Sequence, residues 1–413
     1  MRVVIITPFY KPSIGGVEYI VYHTAKELAK RGLEVHVITT THDNKWRKVA
    51  LPGTTTDESI IIHRLEPSWI RVGYATIMKG LREKLQEIKP DIVHCHNLHP
   101  HLFQTMKWKG KLKYKLIAQL HYPAAAGIDH LLARTIFRLT MYELTRNQSK
   151  IDVFIAHTNI ERQWLISKGI EKSRIKIIRY PCIPDELLNY KPTINIHEKF
   201  DADKIIINIS RIHPRKGQHL VIKAIKYLNQ EITDFKVYIA GPVVDTKYIS
   251  RLRRLIEKYQ LKKYVELKPY PLSEREKFDA IATADVFAYT PIKDYTPVIL
   301  LESLALRTSV AVTKVGAIPE LLSLNVVVEE LIKDAQGRSK ALLEEILWDE
   351  LKRLESNAIV LAEPKPTEIA KAIHRVLQNK NRINLEVLAK VASIHTASAI
   401  VNRLAKLYES LIP

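Results

Sequence analysis

Cysteine is almost absent from this sequence: only Cys95 and Cys182 occur in 413 residues. One falls in an apolar stretch and the other in a loop, with no partner pattern, which favours a reducing compartment. Long hydrophobic runs are also absent, because no segment reaches about 18 uninterrupted apolar residues. The first residues, MRVVIITPFYKP, lack the features of a signal peptide. We therefore expect neither a secretion signal nor a membrane span.

Acidic residues are scarce as well: 44 Asp and Glu stand against 64 Lys and Arg, for a net charge of +20. The deficit is largest in residues 101–150, and within them the segment KWKGKLKYK (107–115) alternates lysine with Trp108, Leu112 and Tyr114. This pattern fits a solvated turn between a helix and a strand, and it also fits contact with an anionic membrane surface. Nucleic acid is not expected as a partner, because no helix-turn-helix, RNP or zinc-finger pattern occurs.

Short apolar runs alternate with longer helical patterns along the whole chain, and hydrophobic residues make up 46% of it. The length suits two domains of about 150–200 residues each. Alternating strands and helices imply right-handed crossovers and a parallel sheet that is covered on both faces. The predicted strands are 2–7, 34–39, 91–96, 115–121 and 152–157, then 205–210, 236–240, 264–267, 285–290 and 309–313. The predicted fold class is therefore α/β, with two Rossmann-like doubly wound parallel-sheet domains.

The boundary between these domains is predicted in a proline-rich, aperiodic linker at 180–204, which gives domains at 1–185 and 186–390. A long helical pattern at 384–411 ends the chain, and the helix from about 390 to 413 is expected to pack back on the first domain. Residues 324–357 form a predicted helical insertion. Ligands of such sheets bind at the carboxyl ends of strands, so a site is expected in the cleft between the two domains.

Two loops that follow predicted strands carry candidate ligand-binding residues. The first, PSIGGVE (12–18), offers bare backbone at Gly15 and Gly16 and the positive end of the next helix. The second, SRIHPRKG (210–217), brings Arg211 and Lys216 to the start of a helix, where converging cations suit a diphosphate. Neither loop is a dinucleotide fingerprint, because G-x-G-x-x-G is absent.

A third loop, DYTPVILLE (294–302), has a carboxylate at each end. Thr296 is predicted to cap a helix whose first residue is Pro297. The backbone amides of Val298 and Ile299 then point out of the helix end, and Asp294 and Glu302 bracket an anion site. Glu302 is equally compatible with a structural salt bridge of the helix.

The three loops, in this order and spacing, resemble a retaining glycosyltransferase of family 4. The resemblance covers most of the chain, because four further stretches also match: GVEYIVYHTAKELAKRGLEVHVIT after the Gly-Gly turn, IKIIRYPCIPDEL at the linker, VGAIPELL (315–322) and LAEPKPTEIAKAI (361–373). It implies the GT-B fold, in which two Rossmann-like domains face an interdomain cleft. It also implies transfer of a hexosyl group, with retention, from a nucleotide-diphosphate-sugar to a hydroxyl- or phosphate-bearing acceptor, either a glycan or a lipid-linked molecule.

The resemblance also implies roles for individual residues. Arg211 and Lys216 would bind the donor diphosphate, Asp294 would hold the sugar, and His121 would lie near the transferred sugar. Among the donor-binding residues, Glu302 would bind the ribose, and the others are Gly15, Gly16, Thr296, Pro297, Val298 and Ile299. No metal and no cofactor are expected, since the nucleotide-sugar is a substrate. The expected location is cytoplasmic, with peripheral contact to the inner face of the membrane as an alternative.

Several features leave alternatives open. Asp294 stands where the family usually has glutamate, and Arg307 stands where it usually has glycine. These departures keep open a catalytically silent nucleotide-sugar-binding protein, or another GT-B enzyme such as a sugar-nucleotide epimerase. The run HCHNLHPH (94–101) fits either a cleft-edge loop, with His96 at a position recurrent in the family, or a zinc site.

Overall fold

The computed structural model describes residues 1–13, 15–43, 45–72, 75–121, 131–180, 183–294, 297–323, 357–379 and 385–412. It divides into two compact units. The N-terminal unit comprises Met1–Cys182 and Ala397–Pro413, and the C-terminal unit comprises Ile183–Thr396. Thr296 and the predicted insertion at 324–357, apart from its last residue, lie outside the described residues.

The N-terminal unit is built on an eight-stranded sheet in the order β10-β9-β8-β7-β1-β2-β4-β3. All neighbours in this sheet are parallel except β3 and β4. A separate antiparallel pair is formed by β5 and β6. The strands are β1 Arg2–Ile6, β2 Glu34–Thr40, β3 Gly53–Asp57, β4 Ile60–Leu65, β5 Pro67–Val72, β6 Ala75–Met78, β7 Ile92–His96, β8 Lys115–Gln119, β9 Val153–Ala156 and β10 Ile175–Ile177.

Helices cover both faces of this sheet, and each face has its own cluster of buried hydrophobic side chains. The central strands β1, β7, β8 and β9 are buried on both sides, which explains why they are largely apolar runs rather than alternating ones. The helices are α1 Gly16–Lys30, α2 Leu81–Ile88, α3 Pro100–Leu112, α4 Leu131–Arg146 and α5 Asn159–Ser167. A last helix, which we number α13 (Ala397–Leu411), returns to this unit and buries Tyr408 in the same core as α1.

The C-terminal unit has a six-stranded, fully parallel sheet in the order β13-β12-β11-β14-β15-β16. Numbered from its first strand, this order is 3-2-1-4-5-6, that of dinucleotide-binding doubly wound folds. Its strands are β11 Lys204–Ile209, β12 Phe235–Ala240, β13 Val265–Lys268, β14 Val286–Tyr289, β15 Val310–Thr313 and β16 Ile359–Ala362. Its helices are α6 Gln218–Leu228, α7 Thr246–Lys258, α8 Glu274–Thr283, α9 Val298–Ala305, α10 Ile318–Leu321, α11 Pro366–Asn379 and α12 Glu386–Ser393.

Strand order locates the binding edge of each unit. In the C-terminal sheet the order reverses between β11 and β14, and in the N-terminal sheet it reverses between β1 and β7. Ligands of open α/β sheets bind beyond the carboxyl ends of strands at such reversals. The loops with Arg211 and Lys216 and with Asp294 follow β11 and β14, and the Gly15–Gly16 turn follows β1.

The predicted α/β class, with two parallel-sheet domains, is confirmed. The long helical pattern at 384–411 forms two helices, and the last one begins later than the predicted residue 390: α12 ends at Ser393 and α13 begins at Ala397. Thr396, between them, forms a bridge with Ile183. Among the described residues, no helix combines the length and the apolar character that a membrane crossing requires.

Candidate active site

The loop after β11 is held against the end of β14 by very close backbone contacts. A Cβ on Gly217, whose φ is +70°, would lie 1.8 Å from the carbonyl oxygen of Thr290. The Thr290 hydroxyl donates a hydrogen bond back to the Gly217 carbonyl. The buried Gln218 side chain also donates to the Ser210 hydroxyl and to the Arg211 carbonyl. These contacts fix the position of the loop, because neither strand end can shift without a clash.

Three polar groups meet at the end of this loop. The Lys216 ammonium donates to the carboxylate Oδ2 of Asp294 at 2.5 Å and to the hydroxyl of Tyr289 at 2.7 Å. The Tyr289 hydroxyl in turn donates to the same Asp294 oxygen. Tyr289 is fully buried, and burial followed by the Asp294 charge raises its pKa well above the usual range. In this arrangement Asp294 compensates the charge of Lys216, so an anion that recruits Lys216 competes with that carboxylate.

Arg211 and Arg215 lie in the same loop and are exposed. The Arg211 charge acts on Tyr289 and partly opposes the increase in the pKa of that phenol. Arg211, Arg215 and Lys216 together lower the pKa of the neighbouring His213, after its partial burial, so the loop carries a concentrated positive field. Such a field next to a helix start attracts phosphate groups.

Helix α9 begins one residue later than predicted. Pro297 is its N-cap, with φ −76° and ψ 94°, and Val298 is the first helical residue, while Thr296 lies outside the described residues. The first amides bonded within the helix end are those of Leu300 and Leu301, which both donate to the Pro297 carbonyl. Among the described residues, the Val298 and Ile299 amides therefore have no hydrogen-bond acceptor, and they add to the positive helix end.

Glu302 is buried inside α9 and forms an ion pair with a lysine of another helix. Lys277 of α8 donates to both carboxylate oxygens of Glu302, at 2.9 and 3.0 Å. The start of α8 is fixed by a capping box between Ser273 and Glu276, which sets the position of Lys277 one residue later. Glu302 therefore forms a structural salt bridge, which was one of the two interpretations of this residue. The salt bridge joins α8 and α9 and does not lie within one helix. A carboxylate has about four lone-pair sites, so ribose hydroxyls remain compatible with this pair.

We expect Lys277→Met to lower the free energy of unfolding by about 3 kcal/mol at neutral pH, because it leaves a buried carboxylate unpaired. Burial already raises the pKa of Glu302, and the loss of Lys277 will raise it further. The destabilisation should therefore shrink as pH falls and Glu302 becomes protonated. Urea unfolding at pH 7.5 and pH 6 measures both effects, because the protein remains folded at both values.

Two controls accompany this variant. Lys258→Met removes an exposed lysine from α7 and is expected to change the stability by less than about 0.5 kcal/mol. The double variant Lys277→Met/Glu302→Gln should recover much of the loss, because no buried charge then remains. An equal loss in the single and the double variant would show that the ion pair is not the cause.

The Gly-Gly turn of the N-terminal unit forms the start of α1. Gly15 is the N-cap in extended backbone, and Gly16 is the first helical residue. A Cβ on Gly15 would lie 2.2 Å from a carboxylate oxygen of Glu18, whereas a Cβ on Gly16 would meet no atom within 4 Å. Burial raises the pKa of Glu18. The Glu18 carboxylate is the end of a flexible side chain and can move away from a Cβ at 15, so the described contacts require glycine at neither position.

Gly16→Ala is expected to leave the melting temperature unchanged or slightly higher, since alanine is favoured over glycine in a helix by about 1 kcal/mol. Nucleotide-sugar affinity should fall by about tenfold or more, because the added methyl group would occupy the space of the approaching ligand. Calorimetric titration with the donor measures the affinity. Gly110→Ala in α3 is the matched control for the melting temperature, because a Cβ there also meets no atom within 4 Å. Unchanged donor affinity in Gly16→Ala would remove Gly16 from the site.

His121 lies just beyond β8 in a chain of hydrogen bonds at the carboxyl edge of the N-terminal sheet. Its Nε2 is 2.8 Å from His96 Nδ1, and its Nδ1 is 3.0 Å from the Tyr180 hydroxyl. Burial lowers the pKa of His121 to about 3, so the ring is neutral at physiological pH. Both ring nitrogens are thus engaged, and a sugar hydroxyl would have to replace His96 or Tyr180 as a partner.

The other histidines of this edge are also held by specific partners. His157 donates from Nδ1 to the Ile178 carbonyl, which leaves Nε2 to accept from Gln119. His94 bonds the Tyr408 hydroxyl, and His101 donates to the His96 carbonyl. Within the described ranges no group of three His, Cys, Asp or Glu side chains is arranged to hold a metal ion.

Sequence reasoning singled out Lys216, Asp294 and Glu302 but missed the side chains that hold them. Tyr289 ends β14, five residues before Asp294, and Lys277 comes from a different helix than Glu302. Tyr180 and Gln218 were missed as well. The only signal for Tyr289 was its place at the carboxyl end of a predicted strand, and no local pattern identifies Lys277.

Comparison with known proteins gives the family. The family model described as Glycosyltransferase Family 4 matches residues 14–184, and the one described as Glycosyl transferases group 1 matches residues 190–358. The chain is 22% identical over 413 residues to one subunit of the phosphatidylinositol N-acetylglucosaminyltransferase of Arabidopsis thaliana, covering 99% of this chain and 78% of that protein. It is also 22% identical over 332 residues to the GPI3 subunit of the Saccharomyces cerevisiae enzyme, covering 78% and 70%.

Solved structures agree on the fold. HepE of Anabaena in complex with UDP superimposes with a TM-score of 0.68 at 14% identity, covering 99% of this chain and all of that one. The two parallel-sheet units have the architecture of GT-B enzymes, and both halves of the chain match glycosyltransferase models. The chain belongs to the family 4 glycosyltransferases of the GT-B fold.

Proposed function

We propose that this protein transfers a sugar, with retention of anomeric configuration, from a nucleoside-diphosphate-sugar to a hydroxyl group of a glycan or lipid-linked acceptor. One observation carries the proposal: the loop with Arg211 and Lys216 follows β11, the start of α9 follows β14, and the strand order of the C-terminal sheet reverses between these two strands. Among the described residues, the Val298 and Ile299 amides of that helix start have no hydrogen-bond acceptor. Cations and helix amides at such a place suit the diphosphate of the donor.

The proposed chemistry follows from where charge develops. The bond between the anomeric carbon and the β-phosphate oxygen breaks, the diphosphate gains negative charge, and the sugar becomes oxocarbenium-like. Fixed positive groups that face the departing phosphate lower this barrier because they need no reorganisation. Lys216 and Arg211 take that role, the Val298 and Ile299 amides assist, and the acceptor oxygen attacks from the same face.

Asp294 and Glu302 are proposed to position the rest of the donor. When the diphosphate recruits Lys216, Asp294 loses part of its compensating charge and becomes available to hydroxyls of the sugar. Glu302 remains paired with Lys277 and offers its remaining lone pairs to the ribose. No metal ion is included in this proposal, because the side chains named here supply the positive charge.

The relatives guide the choice of donor and acceptor. HepE was solved with UDP, and the yeast and Arabidopsis relatives are named as phosphatidylinositol N-acetylglucosaminyltransferase components. We therefore propose UDP-N-acetylglucosamine as the first donor to test and an anionic, lipid-linked acceptor at the cytosolic face of a membrane. The relatives are also named as subunits, so a partner protein is a candidate for the complete activity.

A donor screen tests the proposal. The melting temperature is measured with UDP-, GDP-, ADP- and CMP-sugars, and slow hydrolysis of any stabilising donor is followed by release of the nucleotide. We expect stabilisation by one nucleotide class, together with hydrolysis that gives the α-sugar from an α-linked donor. Binding without any hydrolysis or transfer would favour the catalytically silent binding protein. A product that keeps its nucleotide but has an altered sugar would indicate an epimerase.

A further inference from the structure

A basic pocket lies at the amino edge of the N-terminal sheet, where α3 ends and β8 begins. Its volume is about 580 Å³, within the range of small-molecule sites. Half of its ten lining residues are lysines and only one is acidic: Met106, Lys107, Lys109, Gly110, Lys113, Tyr114, Lys115, Ser149, Lys150 and Asp152. We call this the lysine pocket. It is separated by the length of β8, roughly 15 Å, from the carboxyl edge that holds His121.

Most of the positive charge in the lysine pocket is uncompensated. Asp152 is already occupied, because it pairs with Lys109 at 2.6 Å and accepts the Leu116 amide at 2.7 Å. Among the described residues, the other four lysines of the pocket have no carboxylate partner: Lys107, Lys113, Lys115 and Lys150. The carboxyl end of α3 contributes only about half a negative charge. Lys107, Lys113 and Lys150 are exposed and Lys115 is half-buried, and the charges of these four lysines add to one positive field that attracts anions.

The apolar side chains of the same segment face away from solvent. Tyr114 is buried, and its hydroxyl donates to the Thr105 carbonyl at 2.6 Å. Trp108 and Leu112 pack against the hydrophobic cluster on this face of the sheet. Lysine therefore alternates with apolar residues in 107–115 because this segment forms the end of α3 and the start of β8. Both elements bury their apolar side chains and leave the lysines toward solvent. This segment therefore offers charge to a ligand, because its two aromatic side chains are turned toward the core: Tyr114 is buried and Trp108 is half-buried.

We propose that the lysine pocket binds a group that carries two or more closely spaced phosphates. Several primary ammonium groups recognise clustered phosphate oxygens by charge-assisted hydrogen bonds, and a volume of this size admits more than one phosphate. The site is separate from the diphosphate site of the C-terminal unit and does not depend on the proposed transferase activity. The sequence predicted that residues 107–115 contact an anionic membrane surface. The proposal replaces this general contact with binding of a phosphorylated group, which belongs either to a lipid or to a soluble molecule.

Calorimetric titration with inorganic tripolyphosphate at fixed, low ionic strength tests this site. Lys107→Gln/Lys113→Gln/Lys150→Gln removes three charges from the pocket. Lys226→Gln/Lys247→Gln/Lys258→Gln removes three from exposed positions of the C-terminal unit and is the charge-matched control. We expect the pocket variant to bind tripolyphosphate about 100-fold more weakly at one site, and the control to bind as the wild type does. Lys216→Ala should retain this site while losing any binding at the donor site.

Sedimentation with phosphatidylcholine vesicles, with and without phosphatidylinositol 4,5-bisphosphate, whose headgroup carries closely spaced phosphates, then separates the two sources of phosphate. Binding to the acidic vesicles that is lost in the pocket variant assigns the site to a lipid headgroup. Tripolyphosphate binding without vesicle binding assigns it to a soluble polyphosphate. Equal behaviour of the pocket variant and its charge-matched control in both measurements overturns the proposal. A loss confined to Lys216→Ala would also overturn it, while leaving the donor site intact as a hypothesis.

Discussion

Lys216→Ala is expected to lower kcat/KM for sugar transfer by about 10²–10³-fold, the usual effect of removing one fixed group that stabilises transition-state charge. The variant should also lose the thermal stabilisation that the nucleotide-sugar gives the wild type. The physical reason is the position of the ammonium in the loop after β11, where it donates to Asp294, four residues before α9 begins. Steady-state kinetics and calorimetric titration with the nucleoside diphosphate alone measure the two effects.

Asp294, the partner of Lys216 in an ion pair, provides a control variant whose expected effect on nucleotide affinity is opposite to that of Lys216→Ala. Lys216→Ala and Asp294→Asn both break this pair, so both lose its contribution to stability. Only the first removes the cation. We expect Asp294→Asn to bind the nucleoside diphosphate as well as the wild type or more tightly, because Lys216 is then no longer neutralised, while sugar transfer still falls. Equal losses of nucleotide affinity in both variants would show that the loop geometry, and not the ammonium charge, is what matters.

Acid should destabilise the N-terminal unit steeply below about pH 6.5. Burial lowers the pKa of His94, His101 and His121 to about 3, and those of His96 and His157 well below the usual value. These five rings are neutral when folded but take up protons when unfolded near pH 6.5. The unfolded state therefore binds more protons, so stability rises with pH across this range and falls on acidification.

The expected magnitude is large because the five groups act together. Each histidine contributes about 1.4 kcal/mol per pH unit below its unfolded pKa, which amounts to roughly 7 kcal/mol per unit for the set. Total stabilities are about 5–15 kcal/mol, so we expect this unit to unfold near pH 5. Four of the five tryptophans belong to this unit, so tryptophan fluorescence reports on it: Trp46, Trp69, Trp108 and Trp164. Constant stability between pH 7 and pH 5 would contradict the buried, neutral histidines.

Ten of the parallel strands were predicted because they are buried on both faces, whereas the apolar β4 and β16 and the short β10 were missed. Runs such as KIIINI of β11 and RVVII of β1 are continuous and apolar, and the sheet order then follows from alternation with helices. Strands with other compositions were missed. GTTTD of β3 is an exposed edge strand that pairs antiparallel with β4, and its threonines give no apolar signal.

The break in the C-terminal helical pattern had no local signal either. The residues between α12 and α13, Ile394 to Thr396, include no glycine or proline. At the break, Thr396 forms a bridge with Ile183, more than 200 residues away in sequence. A local pattern does not report such a contact, and only the folded chain reveals it.

In the candidate site, too, local sequence patterns predict individual residues but not their contacts with distant segments. Loop spacing identified Lys216 and Asp294, because glycines, prolines and cations next to strand ends have local meaning. Their hydrogen bonds with Tyr289 and the pairing of Glu302 with Lys277 are contacts between distant segments.

Arg307 is a residue whose sequence position suggested a departure from the family, and the structure shows what this side chain does. It adopts a φ of +62° where glycine is easier, and its guanidinium binds both oxygens of Glu386 and the Leu188 carbonyl.

The return of α13 to the N-terminal unit has a consequence for the order of events during synthesis. Ile400, Leu404 and Tyr408 belong to the same buried cluster as strand β1. Ribosomes add about 5–20 residues per second, so roughly 10–40 s separate the appearance of residue 182 from that of residue 397. Throughout that interval one face of the first sheet lacks its last helix and exposes apolar surface. The N-terminal unit, which is synthesised first, can therefore complete its core only after α13 has been synthesised. A chaperone that binds nascent chains would bind this exposed face of the first sheet.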